Sequence, residues 1–223
     1  MGIVRWLGHA SFEVTIDGVV VLIDPWIKEN PSAPISLSDI KKCDLVLVTH
    51  DHGDHLGDSF EICRRTRATF VSIYELCLEA SRKGVRDVIS MNIGGVVEVK
   101  GLKIVMVPAH HSSSTGSPVG FIIKGNEGTI YHAGDTGIVY DLYLYAKIHP
   151  IDIALVPIGS VFTMDPEEAA YFISLIKPRT AIPMHYNTFP AIKQDPLKFK
   201  ELVKKYSPET NVVVLKPGES WSF

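Results

Sequence analysis

The sequence predicts a layered α/β fold organised as one domain over residues 1–223, and three observations point to it. Short apolar runs of strand character alternate with segments of helical period along the whole chain. No low-complexity stretch or linker interrupts that alternation. Residues with metal-ligand chemistry recur where apolar runs stop, and in layered α/β folds strand ends converge on one edge of a sheet.

Residues 3–7 and 11–16 read as strands joined at Gly8-His9, and Asp17-Gly18 is a hairpin turn signal. Val19 to Ile23 is a continuous apolar strand that stops at Asp24-Pro25. The following Pro- and Ser-rich loop, Asn30 to Ser36, is the best candidate for a mobile flap. Asp44 to Thr49 reads as a buried strand, with a helix beginning near Asp58, a strand at 69–72 and a helix over 75–83. Strands are expected at 88–91, 96–99 and 102–107, then at 119–124 and 128–132. A helix near 140–147 and a strand at 153–157 follow. Asp165-Pro166-Glu167-Glu168 is a strong helix start, with Asp165 as cap, Pro166 in the first turn and Glu168 closing a capping box. Ala169, Phe172, Ile173 and Ile176 recur at helical spacing and give that helix a buried face. A strand over Thr180 to Met184, a helix near 196–206 and a strand at 211–215 close the chain.

Composition removes several function classes. Hydrophobic residues at 46% and charged residues at 21% are ordinary for a soluble globular protein. A net charge of -3 gives no general attraction for nucleic acid or an anionic membrane. Arg64, Arg65 and Arg67 form the one tight basic cluster, which a solvated helix end explains more simply than a phosphate site. No apolar run approaches the ~18 residues of a membrane span. Met1 to Phe12 lacks the apolar core of a signal peptide. Cys43, Cys63 and Cys77 have no Cys-x-x-Cys spacing and read as thiols in a reducing cytoplasm, the expected location.

The chemistry concentrates in Thr-His-Asp-His-Gly-Asp-His-Leu, directly after the apolar run Leu45 to Val48. His50, His52, Asp54 and His55 are four potential ligands within six residues, and they hold three of the nine histidines. Packing alone is a poor explanation for such a cluster at a strand end. Imidazole nitrogen and carboxylate oxygen suit zinc, with manganese or iron as alternatives. On an extended backbone His50 and His52 point to the same side, while Asp54 and His55 lie round the next bend and aim elsewhere. One tetrahedral ion could hardly collect all four, so two neighbouring divalent ions fit better. Each then needs remote ligands. His111, Asp135 and His185 follow the strands at 102–107, 128–132 and 180–184.

These segments resemble the metallo-β-lactamase superfamily. His-Asp-His-Gly-Asp-His at 50–55 matches its His-x-His-x-Asp-His signature. His111, the Ala-Gly-Asp-Thr-Gly run holding Asp135, and His185 match its later motifs in order. The flanking Trp6-Leu7-Gly8-His9-Ala10-Ser11-Phe12 and Pro183-Met184-His185-Tyr186-Asn187 are similar to a small metal-dependent hydrolase branch related to ascorbate-phosphate lactonase. The resemblance covers nearly the whole chain. It implies a four-layer αββα sandwich of two similar halves with metals on one edge. It also implies a first ion held by His50, His52 and His111, and a second by Asp54, His55 and His185, with Asp135 bridging. His110 remains the alternative to His111. Flavodiiron redox relatives tend to carry glutamate at position 52, so His52 favours hydrolysis.

Other polar residues have open roles. His9 lies in a turn that the family places near the site. Asp24 either orients a ligand histidine or caps its strand end. His132 packs beneath the Asp135 loop, His149 has a surface role at a helix end, and Tyr186 and Asn187 touch substrate or only shape their loop. Gly134 and Gly137 flank the Asp135 turn. Two metals about 3.5–4 Å apart would share a water and lower its pKa from ~15.7 toward ~7. The expected function is therefore a metal-dependent hydrolase that turns an activated hydroxide, oriented by Asp54 as catalytic residue, on an ester, lactone or phosphoester bond. The expected partner is a small-molecule substrate. The alternative is a phosphodiesterase or nuclease acting on nucleic acid or nucleotides, although ribonuclease Z relatives carry a long basic arm that has no counterpart here. A non-catalytic metal-binding protein ranks last, because all seven ligand positions are filled. No membrane partner is expected, and the oligomeric state, a homo-oligomer included, stays open.

Overall fold

A computed structural model describes residues 1–223. The chain opens with an antiparallel meander, β1 (Ile3–Trp6), β2 (Phe12–Ile16) and β3 (Val19–Ile23), whose β2 alternates buried and half-buried residues. Parallel strands β4 (Leu45–Leu47), β5 (Thr69–Ile73) and β6 (Val88–Met91) extend the sheet from β3. The helices α1 (Gly53–Leu56), α2 (Ser59–Thr66) and α3 (Tyr74–Arg82) connect them.

The second half mirrors this plan. Strands β7 (Val96–Val99), β8 (Leu102–Pro108), β9 (Val119–Lys124) and β10 (Thr129–His132) form an antiparallel meander. Beyond it, β11 (Ile153–Pro157), β12 (Thr180–Met184) and β13 (Asn211–Val212) add in parallel, separated by α4 (Leu142–Ile148), α5 (Pro166–Ile176) and α6 (Pro196–Tyr206). The last strand, β14 (Ser220–Ser222), returns to pair with β1. Two seven-stranded mixed sheets result, with orders β14-β1-β2-β3-β4-β5-β6 and β13-β12-β11-β10-β9-β8-β7. With helices packed on both, the architecture is the αββα sandwich.

Why these residues take these places follows from burial. β4 and β11 are buried at every residue, as strands covered on both faces must be, and they carry unbroken apolar runs. One hydrophobic cluster of 63 buried residues runs through both sheets, so the halves share a core. Their turns also meet. The Asp17 carboxylate accepts the Asn126 and Glu127 backbone N–H groups, and Glu127 accepts the Asp17 N–H in return.

Three sequence expectations shift. Asp54 and His55 sit on the short helix α1 instead of a bend, with His52 as its extended N-cap residue. The strand expected at 211–215 shortens to Asn211–Val212, because the chain turns away toward β14, which carries no apolar run to announce it. The start of the loop expected to be mobile is tied down. Asn30 donates to Trp26 O and accepts from the Ser32 backbone and hydroxyl, and Ser32 lies so close to Gly8 that a Cβ there would sit 2.6 Å from its Oγ. No helix is long and apolar enough to cross a membrane. All three cysteines are free and buried.

The α5 capping box forms as the sequence predicts. Asp165 accepts the Glu167 and Glu168 N–H groups, and Glu168 accepts the Asp165 N–H. Asp165→Ala is expected to cost about 1 kcal/mol of folding stability, readable as a lower midpoint in urea at an unchanged slope.

Candidate metal centre

The ends of β3, β4, β8, β10 and β12 bring the candidate ligands to one edge of the sandwich. Beyond β4, His50 and His52 do face the same side, with His50 Nε2 2.9 Å from His52 Nδ1. Asp54 and His55 on α1 converge instead with His9 and His185 in a separate group. His111, Asp135 and His185 arrive from the other sheet.

The donors fall into overlapping groups. One is His50, His52 and His111; a second is His9, Asp54, His55 and His185; a third joins His50, His55 and Asp135. Asp135 lies between them, with Oδ1 3.3 Å from His55 Nε2 and Oδ2 3.0 Å from His185 Nε2 and 3.6 Å from His111 Nε2. His50, His55, Asp135 and His185 are buried, whereas His52, Asp54 and His111 are half-buried and mark the open side. His110 is exposed and turned away, its Nδ1–H donating to Ile138 O at 3.0 Å.

Buried groups behind the cluster set its tautomers. Asp24 is fully buried in a left-handed conformation (φ 46°). Its Oδ1 accepts the Thr49 N–H, and its Oδ2 accepts the Thr49 hydroxyl at 2.7 Å and His55 Nδ1–H at 2.7 Å. With its proton committed to Asp24, Thr49 Oγ1 accepts from His50 Nδ1, 3.0 Å away, so the Nε2 atoms of both histidines are directed into the cluster. Asp24 thus caps its strand and orients a histidine at once. His132 braces the Asp135 turn from below: its Nε2–H donates to Ala10 O and its Nδ1 accepts the Gly134 N–H.

Electrostatics follow from the same contacts. Burial lowers the His50 pKa to about 3. Burial also opposes charge on His55, but Asp135 and Asp24 outweigh it and raise its pKa well above the usual imidazole value. For Asp135 burial is again opposed, by His185 and His55, which hold its carboxyl well below the usual range. A concentrated negative field from Asp24 and Asp135 therefore lies where the imidazoles converge, as a cation site requires.

The residues fit a metal on one further observation. Four buried side-chain polar atoms have no hydrogen-bond partner, and three of them are His55 Nε2, Asp135 Oδ1 and His185 Nδ1. Buried polar atoms normally find partners. A divalent cation ligated by His55 Nε2 and Asp135 Oδ1 would satisfy two that hydrogen bonding leaves over.

Comparison with known proteins agrees with this geometry. The β-lactamase superfamily domain matches residues 20–186. The chain belongs to that superfamily. It is 52% identical over 221 residues to a UPF0173 metal-dependent hydrolase of Caldivirga maquilingensis, covering 98% of this chain and 97% of the relative. A second such hydrolase, from Methanopyrus kandleri, is 53% identical over 227 residues, covering 98% of each. The solved structure of Igni18, a metallo hydrolase from the hyperthermophilic archaeon Ignicoccus hospitalis, superposes with a TM-score of 0.93 at 41% identity, covering 100% of this chain and 99% of that one. The protein is a metal-dependent hydrolase.

Several functional contacts were not legible in the sequence. His9 is fully buried and uncharged, burial lowering its pKa to about 4. Its Nε2–H donates to Asp54 Oδ2 at 3.0 Å, its Nδ1 accepts from Thr188 Oγ1 at 3.0 Å, and its ring lies 4.0 Å from that of His185. Tyr186 stacks on Trp6, a packing role, and Asn187 shapes its loop by accepting the Gln194 N–H. Arg64 and Arg65 donate to backbone carbonyls of Lys83, Leu37 and Ile40, which fits the helix-end reading. Asp51 is the further surprise. Its Oδ1 accepts the Ser113 hydroxyl and the Ser114 N–H, both at 2.9 Å, tying the loop that carries His111 to the segment that carries His50 and His52.

Losing that tie should loosen the three-histidine group. Asp51→Ala is expected to weaken metal binding there by about 10- to 100-fold, and Asp51→Asn, which keeps the accepting oxygen, should restore most of it. Competition titration with a chelator reads both, and unchanged affinity in the alanine variant would remove the role.

Proposed function

We propose that the protein hydrolyses an ester, lactone or phosphoester bond of a small molecule with two divalent ions, zinc in first place and manganese or iron as alternatives. The observation that carries this reading is the Asp135 carboxylate. The carboxylate stands within 3.6 Å of ligands from both sets, His111 of one and His55 and His185 of the other, which suits a carboxylate shared between neighbouring cations. His50, His52 and His111 would hold one ion; Asp54, His55 and His185 would hold the other. When bound, such a pair lowers the pKa of a shared water toward ~7 and withdraws charge from the oxygen of the scissile group.

The chain's own residues do the rest. Asp54 is half-buried at the open side, where its carboxylate can accept a hydrogen bond from the attacking water and hold it in line. His9 Nε2–H fixes Asp54 Oδ2, so the carboxylate does not swing. His52 and His111 border the same opening, so a substrate enters over them. Asp24 and Thr49 keep the His55 and His50 nitrogens presented without reorganisation, which lowers the cost of assembling the site. Neither strong basic charge nor a phosphate-cradling glycine loop is part of this arrangement, and a small molecule is the substrate class it suits.

Metal-saturated, desalted protein should carry about two ions per chain by elemental analysis. Turnover on panels of lactones, carboxylic esters and phosphodiesters with zinc, manganese and iron identifies the bond. Asp135→Ala should weaken both ions and lower turnover by at least about 100-fold; two tightly held ions and normal turnover in that variant would sink the shared-carboxylate role. His111→Ala should lose metal from the three-histidine group, while His110→Ala should keep it. Loss confined to the His110 variant would reverse that assignment.

A further inference from the structure

A cavity of about 790 Å³ adjoins the metal centre, walled by the segment that follows His185: Asn187, Thr188, Phe189, Lys193, Gln194 and Lys198 among others. Its volume is within the range of small-molecule sites. Two of its lining residues touch His9, which packs against the metal centre. Thr188 bonds His9, which holds Asp54. The Phe189 ring lies 5.5 Å from the His9 ring and 5.9 Å from that of Trp26, and the His9 ring lies 4.0 Å from that of His185. Between the cavity and His185, which faces Asp135, stand Thr188 or Phe189 and then His9.

The far wall carries the recognition chemistry. Lys193 and Lys198 are both exposed, and neither forms an ion pair. The one carboxylate in the lining, Asp195, is engaged as the cap of α6, accepting the Leu197 N–H at 2.9 Å. Asn187 spends its side-chain oxygen on the Gln194 N–H. The lining is also preformed: Asn187 holds a left-handed conformation, its N–H bonds Ile192 O at 2.9 Å, and Ile192 is fully buried. Near the metal centre the cavity offers an aromatic face, and away from it two lysines without ion pairs beside the single Asp195 carboxylate, an excess of positive charge.

We propose that this cavity is a specificity subsite for a substrate bearing an oxyanionic group, carboxylate or phosphate, joined to a flat apolar portion. The anion lies toward Lys193 and Lys198, the apolar portion rests on Phe189, and the scissile bond extends past Thr188 toward Asp54. The proposal rests on the hydrolase reading for its reacting end, but the subsite can be tested without turnover.

The probes are phenylphosphonate, phenylacetate and the neutral benzyl alcohol, titrated calorimetrically into zinc-loaded and into chelator-treated protein. The chelator-treated arm separates binding at the lysines from binding at metal, and the two anions separate phosphate-like from carboxylate preference. In wild-type protein both anions should bind about tenfold or more tighter than the alcohol, the scale of two partly screened charge pairs. The margin should survive metal removal and vanish in Lys193→Gln/Lys198→Gln. Lys193→Arg/Lys198→Arg should retain it, which shows that charge and not folding was read. A margin that persists in the glutamine variant, or that disappears with the metal, overturns the subsite. Failure of every bond class in the turnover panel would instead sink the hydrolytic reading and leave the subsite to be decided by the titration.

Discussion

Asp24 is the group on which the arrangement of the metal centre depends. It is a fully buried carboxylate at the end of β3, and burying such a charge without partners would cost several kcal/mol. Its oxygens accept from the Thr49 backbone, the Thr49 hydroxyl and His55 Nδ1. Those bonds do two jobs at once. They lock the end of β3 to the end of β4, and they fix which nitrogens of His55 and His50 face the cluster. The left-handed backbone at Asp24 belongs to the same device, because an aspartate tolerates that conformation better than most residues.

A similar economy appears where the two sheets meet. His9 and His185 both adopt left-handed conformations, with the His185 N–H bonded to His9 O, so two strained turns hold each other in place. Gly159 lies directly beside them; a Cβ there would sit 2.3 Å from His185 O, so glycine is what lets the chain pass. The metal centre is therefore built where loops from two sheets interlock, and the same interlocking places the lysine-bearing cavity against it.

Much of this was readable in advance. The strands and helices followed from apolar periodicity, and the capping box at Asp165 appeared as its residue types require. The seven candidate ligands could be picked out because their chemistry is unusual at strand ends. What escaped notice had no local signal. β14 is a three-residue segment, Ser-Trp-Ser, made a strand only by the free edge of β1. Asp51 looks like a spacer between two histidines until the Ser113–Ser114 loop is brought to it. Thr188 and Phe189 look like ordinary loop residues until His9 is found beside them.

By itself the sequence pointed to the candidate donors and to most of the order of elements, because spacing and hydrophobic period are local properties of the chain, while the two-half plan came from the family resemblance. Tertiary structure decided the rest. Which nitrogen of each histidine is presented, that His110 turns outward to Ile138, and that Asp135 stands among three imidazoles depend on partners up to 179 residues apart, the separation between His9 and Thr188. Hydrogen-bond direction and burial are set by groups from both sheets at once, and a residue's sequence neighbours carry no record of them.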